Sequence, residues 1–144
     1  MDIGALDLVI CPFMPITNLS NGHLMLIVED EKPLLKALNE KFAHQGFRVL
    51  TAENGEKGLA LALENYPEII LLDIVMPKMD GITVVKKLRE DAKAKSIPVI
   101  LLTNLYDNEK LVEAGQHGVF DYLIKSDWKL EDVVKKVKEK LNMV

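Results

Sequence analysis

The sequence predicts a doubly wound α/β domain, in which five parallel strands form one sheet and five helices cover its two faces. Apolar runs of strand length alternate with amphipathic segments of helix length along most of the chain, as in proteins built on a parallel sheet. Several runs are apolar at every position, which is typical of strands covered on both faces. The length of 144 residues allows one ordinary domain.

The predicted strands are short apolar runs between polar or turn-forming residues. They are Leu24–Val28, Phe47–Ala52, Ile69–Leu72, Ile97–Leu102 and Val119–Ile124. Arg48 and Asp121 interrupt the second and fifth runs, as edge strands tolerate, whereas the first, the third and the Val99–Leu102 part of the fourth are continuously apolar. We therefore predict the strand order 2-1-3-4-5, a flavodoxin-like order in which ligands bind between strands 1 and 3.

The predicted helices are amphipathic segments that lie between the strands and after the last one. They run from Pro33 to about Ala43, from Asn54 to about Asn65, from Asp80 to about Glu90, from Asp107 to about Gln116 and from about Leu130 to Leu141. In the first helix, Leu34, Leu38 and Phe42 recur every four residues and therefore share one face. Asp80 is a preferred N-cap residue, and Gly46 suits the end of a helix.

Residues 1–22 differ in character from the rest, and we expect an amino-terminal extension that is poorly ordered or loosely packed beside a domain at residues 23–144. The extension ends in a turn-rich stretch that is typical of a linker. Asp2 and Asp7 are acidic where a secretory signal would be basic. Since no apolar run approaches the roughly 20 residues of a membrane helix, we expect a cytoplasmic protein without membrane contacts.

Composition and charge argue against several functional classes. The chain is 49% hydrophobic and 28% charged, which is typical of a globular domain. Its net charge of −4 argues against a nucleic-acid partner, because such proteins usually have a basic surface. The single cysteine, Cys11, cannot form an intramolecular disulfide. We expect a stand-alone domain, since neither end has room for an output domain.

Polar residues follow four of the predicted strands. Glu29 and Asp30 follow strand 1, Asp73 follows strand 3, Thr103 follows strand 4 and Lys125 follows strand 5. The carboxyl ends of parallel strands meet at one edge of a sheet, where ligands bind. Each residue alone suits an ordinary loop, but three carboxylates packed together require a compensating cation. All-oxygen ligation suits Mg²⁺, so the group predicts a magnesium site.

Four segments of the chain resemble the receiver domain of two-component response regulators. They are Leu26–Glu31, Leu71–Gly81, Leu101–Thr103 and Tyr122–Lys125, with the sequences LIVEDE, LLDIVMPKMDG, LLT and YLIK. Their order and spacing match that family over residues 23–144. The resemblance implies a single-domain receiver of the chemotaxis type that acts in a phosphorelay.

The resemblance implies a phosphoryl-transfer site around Asp73, which would accept a phosphoryl group from a sensor histidine kinase. Asp73 would also be a ligand of the metal ion. Asp30 would bind Mg²⁺ directly, Glu29 would bind it through water, and the backbone carbonyl of Val75 would complete the protein ligands. Lys125 would pair with the phosphoryl oxygens. The protein would be a signalling switch that catalyses its own phosphorylation and dephosphorylation, rather than an enzyme acting on other substrates.

The resemblance also implies how the signal is transmitted. After transfer, the Thr103 hydroxyl would bond a phosphoryl oxygen and Tyr122 would rotate inward. The surface formed by helix 4, strand 5 and helix 5 would then bind a downstream protein. Two alternatives stay open: relay of the phosphoryl group to a histidine phosphotransfer protein, and a degenerate receiver that only binds partners. A phosphatase of the haloacid dehalogenase type would need an aspartate at position 75, which is valine.

Four residues near the predicted site depart from the common family pattern or give it an apolar rim. Asn104 follows Thr103 where a small residue is usual, and Ser126 follows Lys125 where proline after a cis bond is usual. A cis bond without proline costs roughly 2.5–4 kcal/mol, so we expect a trans bond and a differently shaped turn. Val75 and Leu105 are apolar, and we hypothesise that they hinder the hydrolytic water and prolong the phosphorylated state.

Overall fold

The computed structural model describes residues 22–104 and 108–143. The predictions for residues 1–21 of the extension, for Leu105 and for Asp107 as the first residue of the fourth helix lie outside these residues. Five strands are described: β1 (Leu24–Val28), β2 (Arg48–Ala52), β3 (Ile69–Asp73), β4 (Val99–Thr103) and β5 (Asp121–Ile124). All are parallel and lie in the order β2-β1-β3-β4-β5, which confirms the predicted flavodoxin-like topology.

The strand register brings the carboxyl ends of the strands to one edge of the sheet. Val28 in β1 lies opposite Leu72 in β3, and Asp73 in β3 lies opposite Leu102 in β4. Thr103 in β4 lies opposite Ile124 in β5. The residues that follow β1, β3 and β5 are therefore close in space, although they are far apart in sequence.

Five helices lie within the described ranges: α1 (Lys32–His44), α2 (Gly55–Asn65), α3 (Gly81–Arg89), α4 (Asn108–Gln116) and α5 (Leu130–Lys140). The predicted N-cap at Asp80 is confirmed, because its Oδ1 accepts a hydrogen bond of 2.8 Å from the Thr83 amide. Asn54 caps α2 in the same way, through the Lys57 amide. None of these helices combines the length and apolar character needed to cross a bilayer.

The sheet separates two hydrophobic layers because neighbouring residues of a strand point to opposite faces. In β1, Leu26 and Val28 pack against one layer, while Met25 and Ile27 pack against the other. Helices α2, α3 and α4 cover the first face, and α1 and α5 cover the second. The continuously apolar central strands are therefore buried on both sides, as predicted.

Strands β2, β4 and β5 begin later than the apolar pattern predicts, and for β2 and β5 the cause is the same. Phe47 donates its amide to the carbonyl of Phe42 at 3.1 Å, and Val119 donates to Ala114 at 3.0 Å. The glycines before them, Gly46 and Gly118, have positive φ angles of 93° and 82°. These are helix-ending motifs in which the residue after glycine bonds back to the last turn. Each apolar residue completes a helix end instead of opening a strand.

Candidate functional site

Three carboxylates meet at the carboxyl edge of the sheet. Glu29 and Asp30 follow β1, and Asp73 is the last residue of the neighbouring strand β3. One oxygen of each carboxylate lies within 4.8 Å of the others. Glu29 and Asp73 are buried, and Glu29 is fixed by a hydrogen bond of 2.9 Å from the Glu31 amide to its Oε2. The structure thus brings together the three acidic residues that the sequence placed at this edge.

Lys125 is the cation of this cluster. It follows β5, and because β4 lies between β5 and β3 its long side chain extends past the end of β4 to the carboxylates. Its Nζ lies 2.6 Å from Glu29 Oε1, 3.1 Å from Asp73 Oδ2 and 3.2 Å from Glu31 Oε2. The side chains of Lys125, Glu29 and Asp73 are all nearly buried, so water screens these two ion pairs weakly.

The pKa values of Asp73 and Lys125 are shifted by burial and by their charged neighbours. Burial, the neighbouring charge of Glu29 and a hydrogen bond with Asp30 raise the pKa of Asp73 to about 7, although Lys125 opposes the shift. At Lys125, burial disfavours the charged form, but the contacts with Glu29 and Asp73 outweigh it and raise the pKa of the ammonium. Burial and the neighbouring carboxylates therefore outweigh the favourable charge of Lys125 at Asp73.

The donor set fits a divalent cation. The oxygens of Glu29, Asp30 and Asp73 are close enough to share one ion. Hard cations such as Mg²⁺ take carboxylate, carbonyl and water oxygens, and a cation here would offset the charge that Lys125 alone does not balance. The acidic cluster is thus able to bind a metal ion.

The two residues that the sequence assigned to the switch lie on the neighbouring strands β4 and β5. Thr103 is the last residue of β4 and is buried at the same edge as Asp73. Tyr122 lies in β5 opposite Leu101, and 42% of its surface is exposed. Tyr122 is thus half-exposed, and its role in a switch stays a prediction.

The positions that depart from the family pattern surround the site. Asn104 is exposed, and Val75 is 69% exposed. The described residues contain no cis peptide bond, so the bond between Lys125 and Ser126 is trans as expected. Residues Lys125–Asp127 form a short 3₁₀ turn that the sequence pattern did not indicate.

Glu31 is a site residue that we did not predict. The prediction used Glu29 and Asp30 because they directly follow an apolar strand, and it gave Glu31 no role. In the structure Glu31 is the N-cap of α1, yet its side chain makes no capping bond and pairs with Lys125 instead. The sequence feature that could have indicated this role is the run of three consecutive acidic residues, Glu29 to Glu31, directly after the first strand.

The comparisons with known proteins identify the family. The model of the response regulator receiver domain matches residues 25–138, which include all of these site residues. The chain is 38% identical over 101 residues to protein PilH of Pseudomonas aeruginosa, covering 70% of this chain and 84% of PilH. It is 43% identical over 101 residues to regulatory protein AtoC of Escherichia coli. There the match covers 70% of this chain but 22% of AtoC, so the chain spans about a fifth of that relative's length.

A solved structure shows the same fold. A chain of the CheX-CheY-BeF3-Mg²⁺ complex from Borrelia burgdorferi matches this protein with a TM-score of 0.75 and 27% sequence identity. The match covers 87% of this chain and 97% of the chain in the complex. The topology, the acidic edge with its lysine and the matched family model agree with one another. The chain therefore belongs to the response regulator receiver domain family and is a receiver of two-component phosphorelay signalling.

Proposed function

We propose that the chain accepts a phosphoryl group on Asp73 from a partner histidine kinase, in a reaction that requires Mg²⁺. The observation that supports this is the position of Asp73, which is buried at the carboxyl edge, 3.1 Å from Lys125 and close to two further carboxylates. Asp30, Asp73 and the backbone carbonyl of Val75 are the proposed protein ligands of the ion, and Glu29 would bind it through water. Such an arrangement lacks an obvious structural purpose, because it concentrates like charges in the protein interior.

The chemistry follows from the residues present. A carboxylate oxygen of Asp73 forms a bond to phosphorus while the bond between phosphorus and the leaving group of the donor breaks, which yields an acyl phosphate. Charge develops on the three phosphoryl oxygens during this step. Lys125 stabilises that charge from the β5 side, and bound Mg²⁺ would stabilise it from the side of Glu29 and Asp30. The protein thus catalyses its own modification, and a water molecule later hydrolyses the acyl phosphate.

Incubation with acetyl phosphate tests this proposal directly. We expect the protein to gain one phosphoryl group in the presence of Mg²⁺, observed by intact-protein mass spectrometry, and to lose it in mild base. Peptide mapping should place the group on Asp73. Excess EDTA should suppress the gain, because the like charges of the cluster then repel the donor. A folded protein that gains no phosphoryl group under these conditions would instead be a degenerate receiver.

The lifetime of the phosphorylated state should depend on Val75. This side chain is 69% exposed close to Asp73, where an apolar group disfavours an ordered water molecule. We expect Val75→Asn to dephosphorylate several-fold faster, since an amide holds the attacking water by a hydrogen bond. The decay of the phosphorylated protein, followed by mass spectrometry after removal of the donor, measures the effect. An unchanged decay rate would show that Val75 does not control hydrolysis.

The proposed output surface lies on α4, β5 and α5. Val112, Phe120 and Tyr122 are exposed apolar residues there, and Phe120 is 75% exposed. They line a shallow groove of about 520 Å³ together with Leu111 and Gly115. Exposed apolar patches of this kind mark protein-interaction sites. We propose that a downstream protein or a histidine phosphotransfer protein binds this groove in the phosphorylated state.

The coupling between the site and this groove should pass through Thr103. Beryllium fluoride with Mg²⁺, the ligands of the Borrelia burgdorferi CheY complex, provides a stable substitute for the phosphoryl group. We expect the NMR signals of Tyr122 and Phe120 to shift on its addition to the wild type. In Thr103→Ala these shifts should decrease strongly, because the hydroxyl that is drawn toward the new charge is missing. Equal shifts in both proteins would exclude Thr103 as the coupling residue.

A further inference from the structure

Lys125 has three carboxylate partners, but these partners differ in their surroundings. Glu29 is fully buried and Asp73 almost so. The Glu31 side chain, by contrast, is 53% exposed and lies at the rim of the site. We propose that Glu31 is a positioning residue that holds Lys125 in a resting arrangement and has to release it before the lysine can pair with a phosphoryl group. This inference rests on the proposed function.

Two hydrogen bonds hold the backbone of Glu31, whereas its side chain lies at the exposed rim. The Glu31 amide donates a hydrogen bond of 2.9 Å to Glu29 Oε2. Its carbonyl accepts a hydrogen bond of 2.9 Å from the Leu35 amide, in the first turn of α1. A change at the Glu31 carboxylate therefore alters its contact with Lys125 without moving β1 or α1.

Separation of Lys125 from Glu31 requires less free energy than its separation from Glu29. Separation of Lys125 from Glu29 would leave a carboxylate buried without its cation, which is strongly unfavourable. The Glu31 carboxylate can instead be hydrated where it is, since exposed ion pairs contribute little to stability. When the phosphoryl group arrives, Lys125 should therefore keep Glu29 and exchange Glu31 for a phosphoryl oxygen. Until then Glu31 slows the reaction by competing for the lysine.

Glu31→Gln tests this role, with Glu53→Gln as a matched control. Glutamine preserves the length of the side chain and removes its charge. Glu53 follows β2 in the chain, its side chain is also 53% exposed, and it contacts Lys32 at 4.0 Å. Both variants lose one negative charge and should keep the thermal unfolding midpoint of the wild type.

The rate of phosphorylation should be measured with two donors, acetyl phosphate and phosphoramidate. In each case a carboxylate oxygen of Asp73 bonds to phosphorus, and the bond to acetate or to the amine breaks. Acetate leaves with the electron pair, and the protonated amine leaves as ammonia. We expect Glu31→Gln to react about two- to fivefold faster than the wild type with either donor, which is the size of one exposed ion pair. Glu53→Gln should react at the wild-type rate.

The two donors separate positioning from simple charge repulsion. If Glu31 acts by holding Lys125, both donors should speed up by the same factor, because both place the same group on Asp73. A larger effect for the more negative acetyl phosphate, an equal acceleration in Glu53→Gln, or no acceleration in Glu31→Gln would each overturn the inference. A wild type that gains no phosphoryl group from either donor would overturn the proposed function, and this inference with it.

Discussion

Asp73→Asn is expected to abolish phosphorylation and, in the absence of Mg²⁺, to raise the stability of the protein. An amide is not a nucleophile comparable to a carboxylate, so no phosphoryl group should be gained. The gain in stability has an electrostatic cause: Asp73 is buried beside Glu29 and Asp30, and among the described residues Lys125 is the cation that pairs with Glu29 and Asp73. Removal of one charge relieves that repulsion while the shape of the side chain stays the same.

The gain in stability from Asp73→Asn should increase with pH. The pKa of Asp73 is raised from 3.8 to about 7 in the folded protein. Between these values the folded state binds a proton that the unfolded chain has lost, so stability due to this group falls as the pH rises toward 7. Asparagine does not titrate. The variant should therefore be more stable than the wild type at both pH 5 and pH 8. The difference should be smaller at pH 5, where the folded Asp73 is still protonated, and should reach about 1–3 kcal/mol at pH 8.

Urea unfolding in EDTA at the two pH values measures this difference. Asp80→Asn is a suitable control, because asparagine caps a helix about as well as aspartate and Asp80 is partly exposed. We expect the control to be phosphorylated and to differ from the wild type by less than about 0.5 kcal/mol at either pH. Added Mg²⁺ should narrow the gap between Asp73→Asn and the wild type, since the ion stabilises the full carboxylate set. A variant that is less stable than the wild type at pH 8 would contradict the electrostatic account.

Much of the fold and of the site follows from two features of the sequence. The central strands are apolar at every position, which predicts burial on both faces and so the strand order. Once that order is known, Glu29, Asp30, Asp73 and Lys125 must lie at one edge, and the structure brings them together. This inference succeeds because a polar residue directly after a buried parallel strand must lie at the carboxyl edge of the sheet.

Other features depend on hydrogen bonds that the hydrophobic pattern does not encode. Phe47 and Val119 are apolar and precede strands, but their amides bond back to helix ends. The contact of Glu31 with Lys125 joins residues 94 positions apart through side chains alone. The 3₁₀ turn at Lys125–Asp127 arises where the family proline is absent. Such details need three-dimensional geometry, because several arrangements fit the same sequence of polar and apolar residues.

Gly81→Ala should cause a large loss of stability. Gly81 begins α3, and a Cβ atom placed on it would lie 2.3 Å from the backbone oxygen of Asp73 and 3.0 Å from Ile74 Cα. Both neighbours are backbone atoms and cannot rotate away. The Gly81 amide also donates a hydrogen bond of 2.8 Å to the carbonyl of Ile74, which anchors α3 to the end of β3.

Relief of this clash requires α3 to move away from the backbone of Asp73 and Ile74. The movement breaks the Gly81–Ile74 hydrogen bond and opens the packing of Ile82 and Val85 against the sheet. We expect a loss of about 2–4 kcal/mol, which combines overpacking with a lost hydrogen bond. Asp73 should shift with its backbone, so phosphorylation by acetyl phosphate should slow by roughly tenfold or more.

Gly115→Ala separates this steric effect from the general consequence of replacing glycine in a helix. Gly115 lies in α4, and a Cβ atom there would meet only the ring of Phe120, at 3.1 Å. That ring is 75% exposed and is able to move aside. Since alanine favours a helix over glycine by up to about 1 kcal/mol, this variant should be as stable as the wild type or more so. Urea unfolding of both variants decides the matter: equal stabilities would mean that α3 and β3 are not held in the close contact on which the position of Asp73 depends.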